Sequence, residues 1–291
     1  MWNKNIETFL GCDKEYEEAR LVLFGAPFDS TTSFRPGTRF ASREMRSESY
    51  GLETYSPYQD ADLCDVNVFD GGDLELCFGD TGRALTDIES RTAEILHDGK
   101  LPVMIGGEHL VTLGAVRAAY KKHPDLHILH FDAHADLRDE YLGTTLSHAT
   151  VMRRCFDLVG EGKIFQFGIR SGERSEFLFA KEHTNLQKFS FEGLDKAVAA
   201  LEGKPVYLTV DLDVLDPSVF PGTGTPEAGG VSFMELYGAL EKACSLSVVA
   251  CDLNELSPVY DQSGASTMTA CKTLRELLLF LSATVDRGGK S

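Results

Sequence analysis

The sequence predicts a single α/β domain in which a doubly wound, mostly parallel sheet carries helices on both faces. Short β-rich runs alternate with segments of helical spacing, which is typical of strand–helix–strand units. Several of these runs are apolar on both faces, as parallel strands between two helix layers must be. No repeat or Pro/Gly-rich linker divides the 291 residues, 43% of them hydrophobic, so we expect one domain over residues 1–291.

The elements follow, in chain order, from the period of their apolar residues. Short runs of β-branched, aromatic and aliphatic residues predict strands at Leu21–Ala26, Val66–Phe69, Pro102–Ile105, His127–Asp132, Lys163–Gly168, Val206–Asp211 and Val248–Leu253. Apolar residues three and four positions apart predict helices at Thr81–His97, Val111–Lys122, Ala149–Val159, Glu173–Lys181, Phe191–Leu201, Phe233–Ala243 and Ser266–Val285. From the second strand onward, at least one helix follows every strand, which provides the crossovers that parallel pairing requires.

Charge and composition exclude several classes of partner. A net charge of −17 and a pI near 4.9 argue against nucleic acid, which requires clustered Lys and Arg, and are compatible with a small cationic substrate. The longest nearly apolar stretch, Leu277–Val285, is too short to span a membrane. The N-terminus has no secretory signal, and the seven scattered cysteines form no Cys-x-x-Cys pair. We therefore expect a cytoplasmic protein with reduced thiols.

Two acidic motifs follow predicted strands eighty residues apart. Asp132, His134 and Asp136 alternate after the strand that ends at Phe-Asp, and Asp211 and Asp213 alternate after a later one. Residues two apart in extended backbone point to the same side, so each group is expected to converge. Loops at the carboxyl ends of parallel strands gather at one edge of the sheet. Because such a cluster of carboxylates is costly without cations, the motifs predict a two-metal site.

A histidine that follows a third strand completes the candidate set. The ligands expected are His109, Asp132, His134, Asp136, Asp211 and Asp213. Two imidazoles and four carboxylates, with no thiolate, favour Mn, Fe or Mg over zinc. Taken alone, Asp-x-Asp after a strand is more often a helix cap or a turn, and His109 could equally belong to a turn. Gly106 and Gly107 are interpreted as a sharp bend that brings His109 inward, since no phosphate-binding motif is present.

Together these motifs resemble the ureohydrolase family, which comprises arginases, agmatinases and related amidinohydrolases. The resembling segments are Gly-Gly-Glu-His (106–109), Phe-Asp-Ala-His-Ala-Asp (131–136), Val-Asp-Leu-Asp-Val-Leu-Asp-Pro (210–217), Pro-Gly-Thr-Gly-Thr-Pro-Glu (221–227), Asn-Glu-Leu-Ser-Pro (254–258) and the N-terminal Phe28-Asp-Ser…Arg35-Pro-Gly-Thr-Arg39. The resemblance covers residues 20–285 and implies an arginase-like fold with a binuclear manganese site. It assigns one ion to His109, Asp132, Asp136 and Asp211, and the other to Asp132, His134, Asp211 and Asp213.

The same resemblance implies roles for further residues. His148 matches a proton-shuttling histidine, Glu255 a glutamate that pairs with the substrate guanidinium, and Asp136 would orient a hydroxide that bridges the two Mn²⁺ ions. Arg138 and Thr225 are expected to contact substrate. Residues 137–147 lack the Asn- and Ser-rich loop with which arginases hold an amino acid, and are similar to bacterial agmatinases. The implied reaction is hydrolysis of agmatine to urea and putrescine.

Alternatives remain at this stage. Another amidinohydrolase (guanidinobutyrase, arginase or formiminoglutamase) is the nearest, because Arg138 could receive an acidic substrate tail. A single-metal amide deacetylase and a non-catalytic binding protein are more distant possibilities. His148 could cap the helix near Ala149, and Glu255 could lie on the surface. The remaining histidines are expected to be structural: His97, His123, His127, His130 and His183. The resemblance also suggests a homo-oligomer, either a trimer or a hexamer.

Overall fold

Eight parallel strands form the main sheet of the structure, a computed structural model that describes residues 7–288, with side chains as far as residue 284. Residues 1–6 and 289–291 lie outside the described residues. They include both ends of the expected domain and the first residues of the N-terminus, where no secretory signal is expected. The sheet strands are β1 (Leu21–Gly25), β4 (Val68–Asp73), β5 (Leu101–Ile105), β6 (His127–Phe131), β7 (Ile164–Ile169), β8 (Asn185–Lys188), β9 (Pro205–Asp211) and β10 (Ser247–Asn254), and the hairpin strands are β2 (Tyr55–Ser56) and β3 (Ala61–Asp62).

Helices cover both faces of the sheet. They are α1 (Ala41–Ser49), α2 (Thr81–His97), α3 (Val111–Lys122), α4 (Val151–Val159), α5 (Arg174–His183), α6 (Leu194–Leu201), α7 (Phe233–Ala243) and α8 (Ala265–Gly288). One apolar core lies between the sheet and α1, α6, α7 and α8, and the other between the sheet and α2, α3, α4 and α5. The predicted doubly wound α/β fold is therefore confirmed.

The strand order places the carboxyl ends of four strands side by side at the centre. The order is β4-β1-β5-β10-β9-β6-β7-β8, and every pair in it is parallel. The neighbours β5, β10, β9 and β6 are the strands whose following loops carry the predicted motifs. Side chains from four distant parts of the chain therefore meet at one edge of the sheet.

Four short elements were not predicted. Strand β8 is the polar sequence Asn-Leu-Gln-Lys at the edge of the sheet, so it has no apolar run to reveal it. Strands β2 and β3 are two-residue strands of a hairpin. Helix α1 is mostly polar, and the face it buries includes Arg46, which pairs with Asp70 and Asp73. Helix α1 was not predicted because its buried face carries a charged residue, so its sequence shows no apolar stripe.

None of the helices among the described residues is long and apolar enough to cross a membrane. All seven cysteines carry free thiols, and five of them are buried, as expected for structural cysteines. Cys64 is the exposed exception, and Cys77 is partly buried.

Candidate metal centre

The six predicted ligands lie at the carboxyl ends of β5, β6 and β9. His109 follows β5, Asp132 follows β6 and Asp211 is the last residue of β9. All three are almost fully buried. Among the described residues, two groups could hold a metal ion. One group contains His109, His130, Asp132 and Asp136, and the other contains Asp132, His134 and Asp213. Asp132 belongs to both groups, so its carboxylate lies between them.

His109 presents one ring nitrogen to three carboxylates. Its Nδ1 atom lies 2.9 Å from Asp132 Oδ2 and 3.3 Å from both Asp136 Oδ2 and Asp211 Oδ2. This nitrogen is buried and has no hydrogen-bond partner. The other nitrogen, Nε2, lies 2.8 Å from the hydroxyl of Thr209. The Thr209 hydroxyl also lies 3.4 Å from the hydroxyl of Thr112, which donates its own proton to the buried carboxylate of Asp252. Thr209 can therefore donate to Thr112 and keep an oxygen lone pair to accept the Nε2 proton.

His134 repeats this arrangement on the other side of Asp132. Its Nδ1 atom lies 3.0 Å from Asp213 Oδ2 and 3.5 Å from Asp132 Oδ1. Burial lowers the pKa of both His109 and His134, but the facing carboxylates more than offset it and raise the pKa of each ring well above its usual value. Each of these short nitrogen-to-oxygen contacts therefore requires a cation, either a proton on the ring or a metal ion in its place. The donor set, two imidazole nitrogens and four carboxylates, is one that divalent cations accept. The side chains therefore fit a centre for two divalent ions.

Asp136 reaches the cluster by a turn rather than by strand alternation. Pairing with β7 continues as far as His134, which forms a bridge with Ser171, but Asp136 has a φ of +53°. The expectation that strand geometry alone makes all three residues converge is therefore wrong at Asp136. Burial and the charge of Asp132 raise the pKa of Asp136 to about 7. A cation is needed to hold this carboxyl group ionised at neutral pH.

Asp211 acts both as a turn residue and as part of the cluster. Its Oδ1 atom accepts a hydrogen bond of 2.8 Å from the backbone N–H of Asp213, which caps a single 3₁₀ turn over Leu212–Val214. Its Oδ2 atom is the one that faces His109. The capping alternative and the ligand hypothesis are therefore compatible, because they use different oxygens of one carboxylate.

The paired glycines serve close packing rather than an unusual φ. A Cβ atom on Gly106 would stand 1.7 Å from Asn254 Oδ1, and one on Gly107 would stand 1.9 Å from the carbonyl oxygen of Phe28. Neither glycine has a positive φ among those recorded for this chain. The chain does bend at Gly107 and Glu108, as expected, but the bend does not depend on a positive φ. Side chains are excluded here because the chain that leaves β5 passes against the loop after β1 and the end of β10.

His148 is free to face the cavity because a neighbour caps the helix. Ser147 and Thr150 form the capping box at this helix start. His148 Nε2 lies 3.0 Å from Ser33 Oγ, and its backbone N–H donates to Thr31 Oγ1 at 3.1 Å. Burial, with the nearby imidazoles of His134 and His109, lowers the pKa of His148 to about 4. At neutral pH its ring is therefore uncharged.

Glu108 anchors the loop that contacts His148. Its buried carboxylate accepts hydrogen bonds from the backbone N–H of Thr31 at 3.0 Å, from the Thr31 hydroxyl, and from the Thr32 hydroxyl at 2.8 Å. Burial raises the pKa of Glu108 to about 7. The Thr31 hydroxyl thus links Glu108 to the backbone of His148.

Above the cluster lies an open cavity of about 270 Å³. Of the predicted residues, those that line it are His134, Asp136, Arg138, His148 and Thr225. The Thr225 hydroxyl donates to Asp213 Oδ2 at 3.3 Å. Arg138 pairs with Glu173 at 3.0 Å and Glu176 at 3.5 Å, and its guanidinium lies 4.4 Å from the ring centre of Tyr141.

Glu255 lies deeper, at the end of β10, and does not line this cavity. It is buried and has a φ of +66°, which excludes the surface alternative. Its Oε1 atom accepts a hydrogen bond of 2.8 Å from the backbone N–H of His109. Its Oε2 atom faces Gly224, 3.7 Å from the position that a Cβ atom would take there. Burial and the charge of Glu108 raise the pKa of Glu255 well above its usual value.

His130 is the site residue that sequence reasoning missed. It was expected to be structural, yet its Nε2 atom lies 2.7 Å from Asp132 Oδ2. The sequence does indicate this position. His130 precedes Asp132 by two residues in a strand, so the two side chains are expected to point to the same side.

Known proteins resemble this chain over nearly its whole length. The model of the arginase family matches residues 19–280. An agmatinase from Bacillus subtilis is 47% identical over 94% of this chain and 96% of its own length. A guanidinobutyrase from Pseudomonas aeruginosa is 35% identical over 94% of this chain and 90% of its own length. The crystal structure of a putative agmatinase from Clostridium difficile superimposes with a TM-score of 0.91 at 53% identity, covering 93% of this chain and all of that one. The chain belongs to the arginase family.

Proposed function

We propose that the chain is an agmatinase, a hydrolase that converts the guanidinium group of agmatine to urea and leaves putrescine. The observation that carries this proposal is the carboxylate of Asp132, whose two oxygens face imidazole nitrogens of both His109 and His134 below an open cavity. Relatives named agmatinase, at 45–47% identity over 94% of the chain, support the same reaction.

The proposed cofactor is a pair of Mn²⁺ ions. The proposed ligands of the first ion are His109, Asp132, Asp136 and Asp211, and those of the second are Asp132, His134, Asp211 and Asp213. An oxygen-rich set without thiolate favours manganese over zinc. When bound, such ions polarise water, lower its pKa towards neutrality and so supply hydroxide at pH 7.

The side chains of this protein orient the substrate and move the proton. Glu255 keeps Oε2 available for the guanidinium, since only its Oε1 is used by His109. Asp136 would accept a hydrogen bond from the attacking oxygen as it bonds to the guanidinium carbon. Expulsion of the amine requires a proton, which His148 would take up and deliver, because the uncharged ring is the proton-accepting form at neutral pH. Thr225, held by Asp213, lines the substrate cavity.

The outer wall of the cavity favours a cationic tail over an acidic one. Arg138 is already paired with Glu173 and Glu176, so its guanidinium is not free to receive a carboxylate. These three side chains together carry one negative charge. The far ammonium of agmatine would be attracted there, whereas the carboxylate of 4-guanidinobutyrate would be repelled. A guanidinobutyrase relative at 35% identity keeps guanidinobutyrase as the second candidate.

Urea release from a panel of guanidino compounds tests the proposal. The panel contains agmatine, 4-guanidinobutyrate and arginine, each assayed on Mn²⁺-reconstituted and on chelator-treated protein. Formiminoglutamate, whose hydrolysis would release formamide instead of urea, is assayed in parallel by the release of glutamate. Agmatine turnover well above the others, lost on chelation and restored by Mn²⁺, is the expected result. Faster turnover of 4-guanidinobutyrate would replace agmatinase by the second candidate.

We also propose that the protein acts in the cytoplasm as a homo-oligomer, a trimer or a hexamer. Burial of five of its seven free thiols is compatible with a reducing compartment. Light scattering coupled to size-exclusion chromatography measures the assembly, and a monomer at micromolar concentration would contradict the oligomer.

A further inference from the structure

A chain of buried hydrogen bonds leads from the edge of the sheet to the carboxylate shared by the two metal-ligand groups. It begins at Thr184, which immediately precedes β8, passes through Gln166 in β7 and His130 in β6, and ends at Asp132. Gln166 and His130 are direct partners in the β6–β7 register, so their side chains lie on the same face of the sheet. Both are fully buried.

The hydrogen bonds of Gln166 define which of its side-chain atoms faces His130. One of its two side-chain atoms lies 2.8 Å from the carbonyl oxygen of Ala135, which can only accept. That atom must therefore be the NH₂ group, Nε2. The remaining atom, Oε1, accepts the hydroxyl proton of Thr184 at 3.1 Å. The same Nε2 lies 3.1 Å from His130 Nδ1, to which it donates its second proton.

The tautomer of His130 follows from this donation. Because Nδ1 accepts a proton from Gln166, it carries a lone pair and no hydrogen. A neutral ring then carries its single hydrogen on Nε2, which faces Asp132 Oδ2 at 2.7 Å. Both ring nitrogens are now committed. His130 cannot bind a metal through Nε2, although it falls within metal-binding distance of His109 and Asp136.

We infer that His130 is a positioning residue that donates a hydrogen bond to Asp132 and orients its carboxylate between the two ions, with Gln166 holding the tautomer. Asp132 Oδ2 receives this bond on the side of His109, while Oδ1 faces His134. The inference rests on the metal centre proposed above and requires no particular substrate. Removing a hydrogen-bond donor of this kind typically lowers metal affinity about 10- to 100-fold.

Two substitutions of one residue separate this role from direct ligation. His130→Gln places an amide nitrogen near the position of Nε2, so it keeps a donor to Asp132 but removes the imidazole. His130→Phe fills similar volume without a donor. Metal content and Mn²⁺ affinity are measured by titration on each folded variant. The expected result is near-normal binding of two ions in His130→Gln and an affinity about 10- to 100-fold lower in His130→Phe.

Two results in His130→Gln would make His130 a ligand and overturn the inference. One is the loss of one of the two ions, and the other is the loss, in pulsed EPR, of a coupling between an imidazole nitrogen and Mn²⁺. Unchanged Mn²⁺ affinity in His130→Phe would overturn it as well.

Should His130→Phe fail to fold, ¹⁵N NMR of histidine-labelled wild-type protein loaded with Mg²⁺ decides the question. A hydrogen on Nε2 of His130 supports the inference, and one on Nδ1 refutes it. Because these readouts measure the metal and the tautomer, failure of agmatine hydrolysis would leave them unaffected.

Discussion

At the scale of single residues, hydrogen bonds from the loop after β1 hold His148 in place. The Thr31 hydroxyl donates to Glu108 and accepts from the backbone N–H of His148, while Ser33 Oγ contacts the ring. Glu108 is fully buried, so its orientation is fixed by these hydrogen bonds. The ring that is proposed to move a proton is therefore supported by residues far away in sequence.

Replacing Thr31 by valine tests this support. Thr31→Val keeps the shape of the side chain but removes the hydroxyl, so a hydrogen bond worth about 0.5–1.5 kcal/mol is lost at His148. We expect kcat for urea release to fall by about three- to tenfold, with KM and metal content nearly unchanged. Thr31→Ser restores the hydroxyl and should restore kcat. Equal loss of kcat in both variants would mean that the methyl group, not the hydroxyl, matters.

At the scale of elements, two helices illustrate opposite uses of glycine. Gly114 lies in α3 where α2 crosses it, and a Cβ atom there would stand 2.7 Å from the carbonyl oxygen of Leu85 and 2.9 Å from Ile88 Cβ. Gly238 lies in α7, and nothing approaches within 4 Å of its Cβ position. Helix propensity alone treats the two positions alike.

Alanine substitutions at these two glycines should change stability in opposite directions. Gly114→Ala is expected to lower the free energy of unfolding by about 1–3 kcal/mol, because α2 and α3 must move apart. Gly238→Ala is expected to raise it by about 0.5–1 kcal/mol, because alanine restricts the unfolded chain and favours the helix. Urea denaturation measures both. A stabilising Gly114→Ala would show that α2 and α3 can separate enough to accept a methyl group without cost.

The end of β6 shows why local patterns locate a site more easily than they describe it. Alternation correctly brings His130, Asp132 and His134 to one side, but it fails at Asp136, where φ is +53°. The period of a strand is a local property. The left-handed turn at Asp136 and the tautomer of His130 depend instead on the groups that lie opposite β6. These groups come from β7 and from the residues that follow it.

At the scale of the whole molecule, the proposed metals should stabilise the fold. The metal-free centre holds four carboxylates close together and leaves His109 Nδ1 without a hydrogen-bond partner. Cations that bind only the folded chain remove this repulsion and shift the unfolding equilibrium. The net charge of −17 adds a long-range attraction for cations.

Metal removal should therefore lower the melting temperature, and by more at higher pH. At a hundredfold excess over Kd one site contributes about 2.7 kcal/mol, which corresponds to a shift of roughly 5–10 °C. The pKa of Asp136 is raised to about 7 in the metal-free protein. Below pH 7 a metal ion must therefore displace a proton from this carboxyl group. The stabilisation that the bound proton gives the metal-free fold is lost as the pH rises through 7. Both effects concern the same proton, so the difference in melting temperature between the metal-bound and the metal-free protein is expected to be larger at pH 8 than at pH 6.

Differential scanning calorimetry with Mn²⁺ or with a chelator measures this gap. Asp136→Asn is the control, and it should bind metal more weakly and show a flatter pH dependence. A gap that stayed constant with pH in the wild-type protein would contradict the role given to Asp136.

The amino-acid sequence was enough to predict the fold class and most element positions, because burial patterns with periods of 2 and 3.6 residues are local. It was also enough to predict the chemical types around the centre, because carboxylates gathered at strand ends require cations. Tertiary structure alone decided which atoms meet. It directed His109 Nδ1 towards three carboxylates, committed Arg138 to two glutamates and joined Glu108 to His148 through Thr31. These contacts join residues far apart in the chain, and their geometry is set by the order of the strands, which no local pattern encodes.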